Sequence, residues 1–140
     1  MRRLLLRVSF LMMMTGAVYA QTTKNLKIVF HVDSPNVQRV EMAFHNAHSV
    51  EMHTGIGKVR MVAVANGPAV KFFLRSTSSE IASQIHNLES TGDVRFHVCE
   101  ASLKAFHYSP SDVLGDCKVV PAGVIDIARL EARGYAYIKP

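Results

Sequence analysis

Two thiols and seven imidazoles are the groups in this 140-residue chain best suited to covalent or metal chemistry. Cys99 has the more favourable setting. Val94, Phe96 and Val98 alternate with Arg95, His97 and Cys99, which is the two-residue period of a β-strand. The alternation stops at Glu100, and Leu103 and Phe106 follow at helical spacing. Cys99 is therefore expected at the carboxyl end of a strand, on the turn into a helix, where open α/β sheets collect their reactive groups. Thiolate is the reactive form of cysteine, and the free N–H groups of a helix start stabilise it. The competing expectation is a buried, inert residue, because free cysteines often pack as small hydrophobes.

The neighbours of Cys99 pull in opposite directions. A helix start and a protonated His97 or His107 would lower its pKa, whereas Glu100 would raise it. His97 shares the Cys99 face, but a two-residue step spans roughly 7 Å and leaves direct contact open. No motif supplies the orienting third group or the oxyanion hole of a cysteine hydrolase, so hydrolysis is not the leading expectation. His45, His48 and His53 lie on or near one helix, and His45 and His48 are i, i+3 neighbours. They flank the apolar stripe without a cysteine or carboxylate set beside them. A solvated or inter-subunit face is expected there, with no metal site and no cofactor.

The elements that must position these groups alternate along the chain. Residues 26–32 read as a strand, and Ser34 as the cap of a helix opened by Pro35. Val37, Val40, Phe44, Ala47 and Val50 trace its apolar face to about His53, before Gly55 and Gly57. Residues 58–65 form a second strand, and Asn66-Gly67-Pro68 turn into a short helix carrying Val70, Phe73 and Leu74. Thr77 and Glu80 fit a capping box for a helix that buries Ile81, Ile85 and Leu88 and stops at Gly92. After the Cys99 strand, Val113-Leu114 anchors a turn and residues 118–120 make a fourth strand. Pro121 opens a last helix with Val124, Ile127, Ala128 and Glu131 on successive turns, and residues 135–138 close the chain as a fifth strand. This order specifies one α/β domain with a mostly parallel sheet. Its carboxyl edge gathers His31 and Asp33, Asn66, Gly67 and Pro68, Cys99 and Glu100, and Pro121 and Gly123 as candidate pocket residues. Cys117 precedes the fourth strand and so falls toward the amino edge. A strand of three or four residues separates the edges by roughly 10 Å, beyond disulfide reach, so two free thiols are expected. Arg95 and His97 put polar groups on a strand that a doubly covered sheet should bury, and are expected to face solvent or another subunit.

Residues 1–20 have the make-up of a secretory leader: Arg2, Arg3 and Arg7, an apolar run over 8–15, and Val18-Tyr19-Ala20 before a cleavage point after Ala20. The run is too short for a bilayer-spanning helix, so no stable membrane anchor is expected, and the mature protein is expected in a periplasm or outside the cell. The whole chain carries 16 basic and 11 acidic residues; three arginines leave with the leader, so the net charge falls from +5 to +2. No run of Lys or Arg remains, and nucleic acid is not an expected partner. The domain is then 21–140.

Five stretches together resemble the DsrE/DsrF-like family: Lys27-Ile28-Val29-Phe30-His31-Val32, Asn66-Gly67-Pro68, the helix-Gly-strand-Cys run over 85–99, Val119-Val120-Pro121-Ala122-Gly123-Val124, and Gly134-Tyr135-Ala136-Tyr137-Ile138-Lys139-Pro140. The resemblance spans residues 26–140. It implies a three-layer α/β/α sandwich with a five-stranded parallel sheet, a homo-oligomer, and a link to sulfur metabolism in which a cysteine carries a persulfide. Cys99 matches that cysteine. The sequence departs from the pattern at Asn66, where relatives often carry His, at Glu100, where a small residue is common, and at Cys117. The expected function is an exported sulfur carrier that takes sulfur from a sulfane donor or small thiol. The alternative is a non-catalytic oligomeric binding or structural protein whose Cys99 is inert.

Overall fold

Runs of β-branched and aromatic residues pair as parallel strands, and the glycines between them turn the chain back. A computed structural model describes residues 26–140, so the leader expected at 1–20 lies outside the described residues. The elements are β1 (Leu26–Val32), α1 (Val37–Thr54), β2 (Val59–Ala65), a 3-10 helix (Gly67–Phe73), α2 (Ser79–Ser90) and β3 (Val94–Cys99). Then come α3 (Glu100–Ala105), a 3-10 turn (Pro110–Asp112), β4 (Cys117–Val120), α4 (Gly123–Ala132) and β5 (Ala136–Ile138). All pairings in the five-stranded sheet are parallel, in the order β4-β3-β2-β1-β5.

That order explains the layers. From β1 to β4 every crossover steps the same way across the sheet, and the right-handed rule sends those connections to one face. The face is covered by α1 and α2 and by Leu103 of α3, over a core that includes Phe30, Phe44, Phe73 and Phe96. Phe44 meets both Phe73 and Phe96 edge-on, at 6.3 and 5.7 Å between ring centroids, a favoured aromatic geometry. The last crossover steps back over the whole sheet to the far side of β1, and the same rule sends α4 to the other face. There Ile127 and Leu130 pack on Val29, Val62 and Val64. The three layers are thus unequal, with one helix on the second face.

Several local expectations are corrected. Asn36, not Ser34, caps α1 by accepting from the Gln38 N–H at 2.9 Å, which leaves Pro35 outside the helix. Ser78 caps α2 through the Ile81 N–H, so the box expected from Thr77 and Glu80 is not formed. The short helix after Pro68 is of the tighter 3-10 form. Phe106 is the exposed cap residue of α3 and does not extend its apolar face. Helix α4 starts two residues after Pro121, and this shift of phase buries Gly123, Ile127 and Leu130 while Val124, Ala128 and Glu131 face outward.

Candidate functional site

A ligand crevice in an open α/β sheet forms where neighbouring strands send their chains to opposite faces. Here those neighbours are β3, which leads into α3, and β4, which leads into α4. Cys99 ends β3 beside Val120 of β4, and so stands at that point. Both helices begin around its sulfur.

Cys99 is the N-cap residue of α3, and its Sγ accepts from the Ser102 N–H at 3.4 Å. Burial, the largest influence, pushes the thiol pKa up. The Ser102 hydroxyl and the backbone N–H groups of Gly123, Ser102 and Ala101 outweigh it and hold the thiol below its ordinary value. Gly123 is the first residue of α4, so the two helix starts act on one sulfur. The Ser102 hydroxyl itself accepts from the Gly67 N–H at 2.8 Å, which leaves its proton for Cys99. A Cβ on Gly123 would lie 3.1 Å from the Asn66 Cβ and 3.2 Å from the Cys99 Cβ, so only glycine lets α4 approach this closely.

The remaining pocket candidates divide into two groups. His31, Asn66, Gly67 and Gly123 join Cys99 around the crevice. His31 Nε2 meets Asn66 Oδ1 at 2.9 Å, and its Nδ1 meets the Tyr137 hydroxyl at 2.6 Å. Asp33 sits beside this chain, 3.9 Å from His31 Nε2, and pairs with Lys139 Nζ at 2.6 Å. Pro68 opens the 3-10 helix, and the Pro121 carbonyl accepts from the Ala101 N–H at 3.3 Å; each is a backbone support. His97 turns away from the thiol to Asp126 of α4, at 2.6 Å with both side chains largely buried. Its cover therefore comes from its own chain, which corrects the expectation of solvent or another subunit there; Arg95 is exposed and pairs with Glu89 at 2.9 Å. Glu100 pairs with Lys104 one turn along α3 at 2.6 Å, and the opposition to the thiolate comes from burial.

Cys117 occupies a different environment. It pairs in register with Phe96, three positions before Cys99, and packs against the α1–α2 core, on the opposite face of the sheet. Both thiols are free. Burial, then the Asp116 and Glu89 carboxylates, push Cys117 up to about 12. His45 and His48 are exposed and line a groove of about 360 Å³ between α1 and α2, while His53 turns back to the Ser49 carbonyl at 2.7 Å. Among the described residues no group of three or more His, Cys, Asp or Glu is placed to hold a metal. No helix among them is long and apolar enough to cross a membrane.

Sequence reasoning missed Ser102, Tyr137 and Asp126. Ser102 alone carried a local signal, since it stands three residues after a helix cap, where a side chain can reach back.

The family model for the DsrE/DsrF-like proteins matches residues 25–140. The chain belongs to this family. Solved structures agree with the DsrE-type fold. A protein of unknown function from Methanobacterium thermoautotrophicum, MTH1491, superposes with a TM-score of 0.74 at 30% identity, over 82% of this chain and 99% of that one. The ychN protein of E. coli superposes at 0.68 with 11% identity, over 82% and 99% of the two chains. BT1422 from Bacteroides thetaiotaomicron does so at 0.64 with 15% identity, over 84% and 95%. The two more distant structures speak to the fold alone. No curated protein matches the sequence.

Proposed function

We propose that this DsrE-family protein is an exported sulfur carrier that holds sulfane sulfur as a transient persulfide on Cys99, and that it works as a homo-oligomer in a periplasm or outside the cell. The observation that carries the reading is the convergence of two helix starts and the Ser102 hydroxyl on a sulfur that burial alone would keep protonated. An anion-stabilising cradle of this kind suits a thiolate nucleophile and the anionic persulfide it becomes.

The step balances without a cofactor. The Cys99 thiolate attacks the outer sulfur of a donor R–S–SH. The donor S–S bond breaks, R–S⁻ leaves with the electron pair, and Cys99 carries S–SH. A nucleophilic acceptor then removes the outer sulfur and returns the thiolate. Because Cys99 is only 5% exposed, slender donors such as small persulfides and inorganic polysulfide fit this role. The test is intact-mass analysis after exposure to polysulfide. One added sulfur at Cys99, lost in Cys99→Ser with the fold retained, is the expected result. A folded protein whose Cys99 neither alkylates nor gains sulfur would return the inert, binding-protein alternative.

The oligomer reading is supported by apolar side chains on the lightly covered face. Val124 and Ile125 on α4 and Tyr137 of β5, which pairs with Val29 of that face, are all exposed, apolar surface suited to burial against another copy.

A further inference from the structure

The His31–Tyr137 contact has no place in the thiolate cradle, yet it leads back to Cys99 through Asn66. We propose that Tyr137, His31 and Asn66 form a clamp that presents the Asn66 side-chain amide to the outer sulfur of a persulfide on Cys99. His31 and Tyr137 act as positioning residues. The proposal rests on the persulfide reading and deepens it.

Register places Asn66 at the thiol. Ala65 of β2 pairs with Val98 of β3, so the next residues, Asn66 and Cys99, end neighbouring strands side by side. Their Cβ atoms flank Gly123, at 3.1 and 3.2 Å from the position a Cβ would take there. The oxygen of the Asn66 amide is already engaged. Oδ1 accepts from His31 Nε2 at 2.9 Å, so a neutral ring must accept at Nδ1, and the Tyr137 hydroxyl donates to it at 2.6 Å. Three residues from β1, the end of β2 and β5 thereby fix which way the amide faces. What remains for a ligand is the Asn66 NH2 group, which only donates. Among the described residues no protein acceptor takes Nδ2. A pure donor beside a thiolate suits an electron-rich acceptor one bond farther out, which is where the terminal sulfur of Cys99–S–S⁻ extends. The N–H groups around Sγ hold the thiolate itself, so the clamp acts on the loaded state.

The experiment compares loaded and unloaded protein. Wild type, Asn66→Ala, Asn66→Asp, His31→Ala and Tyr137→Phe are treated with polysulfide, the donor is removed, and loss of the added sulfur to sulfite is followed by intact mass. Alkylation of unloaded Cys99 by iodoacetamide is measured against pH in parallel. Asn66→Ala and His31→Ala are expected to release the sulfur about tenfold faster than wild type, and Tyr137→Phe about threefold faster, as expected for losing a hydrogen bond to a charged group or weakening its support. Asn66→Asp keeps the shape and the oxygen facing His31 but removes the donor, and should release sulfur at least as fast as Asn66→Ala. His31→Ala should add nothing in an Asn66→Ala background, because it acts through that amide. The pH midpoint of alkylation should stay at the wild-type value in His31→Ala and Tyr137→Phe, since neither residue is among the groups bonded to the sulfur, whereas a general disturbance of the crevice would move it. Wild-type retention in Asn66→Ala, or a further loss from His31→Ala in that background, overturns the clamp while leaving the carrier reading standing. A wild type that takes up no sulfur overturns both.

Discussion

The two thiols of one small domain differ in what surrounds the sulfur. Cys99 is held below the ordinary thiol value and Cys117 is pushed up to about 12. At pH 7, iodoacetamide is therefore expected to label Cys99 at least about a hundredfold faster, as peptide mapping of a time course would show; equal labelling would count against the cradle. Ser102→Ala removes the hydroxyl and should slow Cys99 labelling at pH 7 by about tenfold while moving the midpoint of its pH profile upward. Linkage gives a second check. A thiol whose native pKa is depressed adds stability above its unfolded value of about 9 and loses it as pH falls through the native value. The stability of wild type relative to Cys99→Ser should thus rise between the native pKa and pH 9, as denaturant titrations at several pH values would record. Cys117 is present in both proteins and cancels. The strand-end position of Cys99 was legible from alternation alone. The net direction of its pKa was not, because the Gly123 N–H comes from a helix 24 residues later in the chain, and because Glu100 is drawn off by Lys104.

At the level of single elements, strand extents were readable and helix ends were less so. Continuous apolar runs marked β1 and β2 within a residue, whereas several polar residues competed for each cap. Asn36 won over Ser34 and Ser78 over Thr77 through geometry that composition does not reveal. The end of α3 gives a clean test. His107 has φ 62°, and its N–H bonds the Lys104 carbonyl while the Tyr108 N–H bonds that of Leu103, the pattern of a helix stop that glycine serves best. His107→Gly should raise stability by about 1 kcal/mol in chemical denaturation, with Cys99 reactivity unchanged. At the start of α4 the reverse holds. Gly123→Ala pushes a methyl against Asn66, Cys99 and Val64, and should lower stability by about 1–3 kcal/mol and slow Cys99 labelling together.

For the whole molecule, alternating strands and helices sufficed to predict a parallel sheet in one α/β domain. Strand order was not predictable from periodicity, and it is the order that leaves α4 alone on one face and brings two helix starts to one residue. Exposed Val124 and Ile125 follow from the same phase of α4 that buries Ile127 and Leu130. If that face is where copies meet, light scattering at micromolar concentration should give a mass above that of one chain. The pair Val124→Glu and Ile125→Glu should shift it toward a single chain without unfolding, since both side chains point outward. A monomeric wild type would sink the oligomer proposal.

Helix α4 rests on a small apolar contact set and the His97–Asp126 pair, and it also supplies the Gly123 N–H at the sulfur. Cooperative local openings draw on the least-anchored elements, so α4 should exchange its amide hydrogens sooner than α1 or α2. Anything that binds only the closed form makes such openings rarer. Loading sulfur onto Cys99 should therefore slow exchange throughout α4, out to Leu130, so that the helix reports from a distance whether the carrier is full.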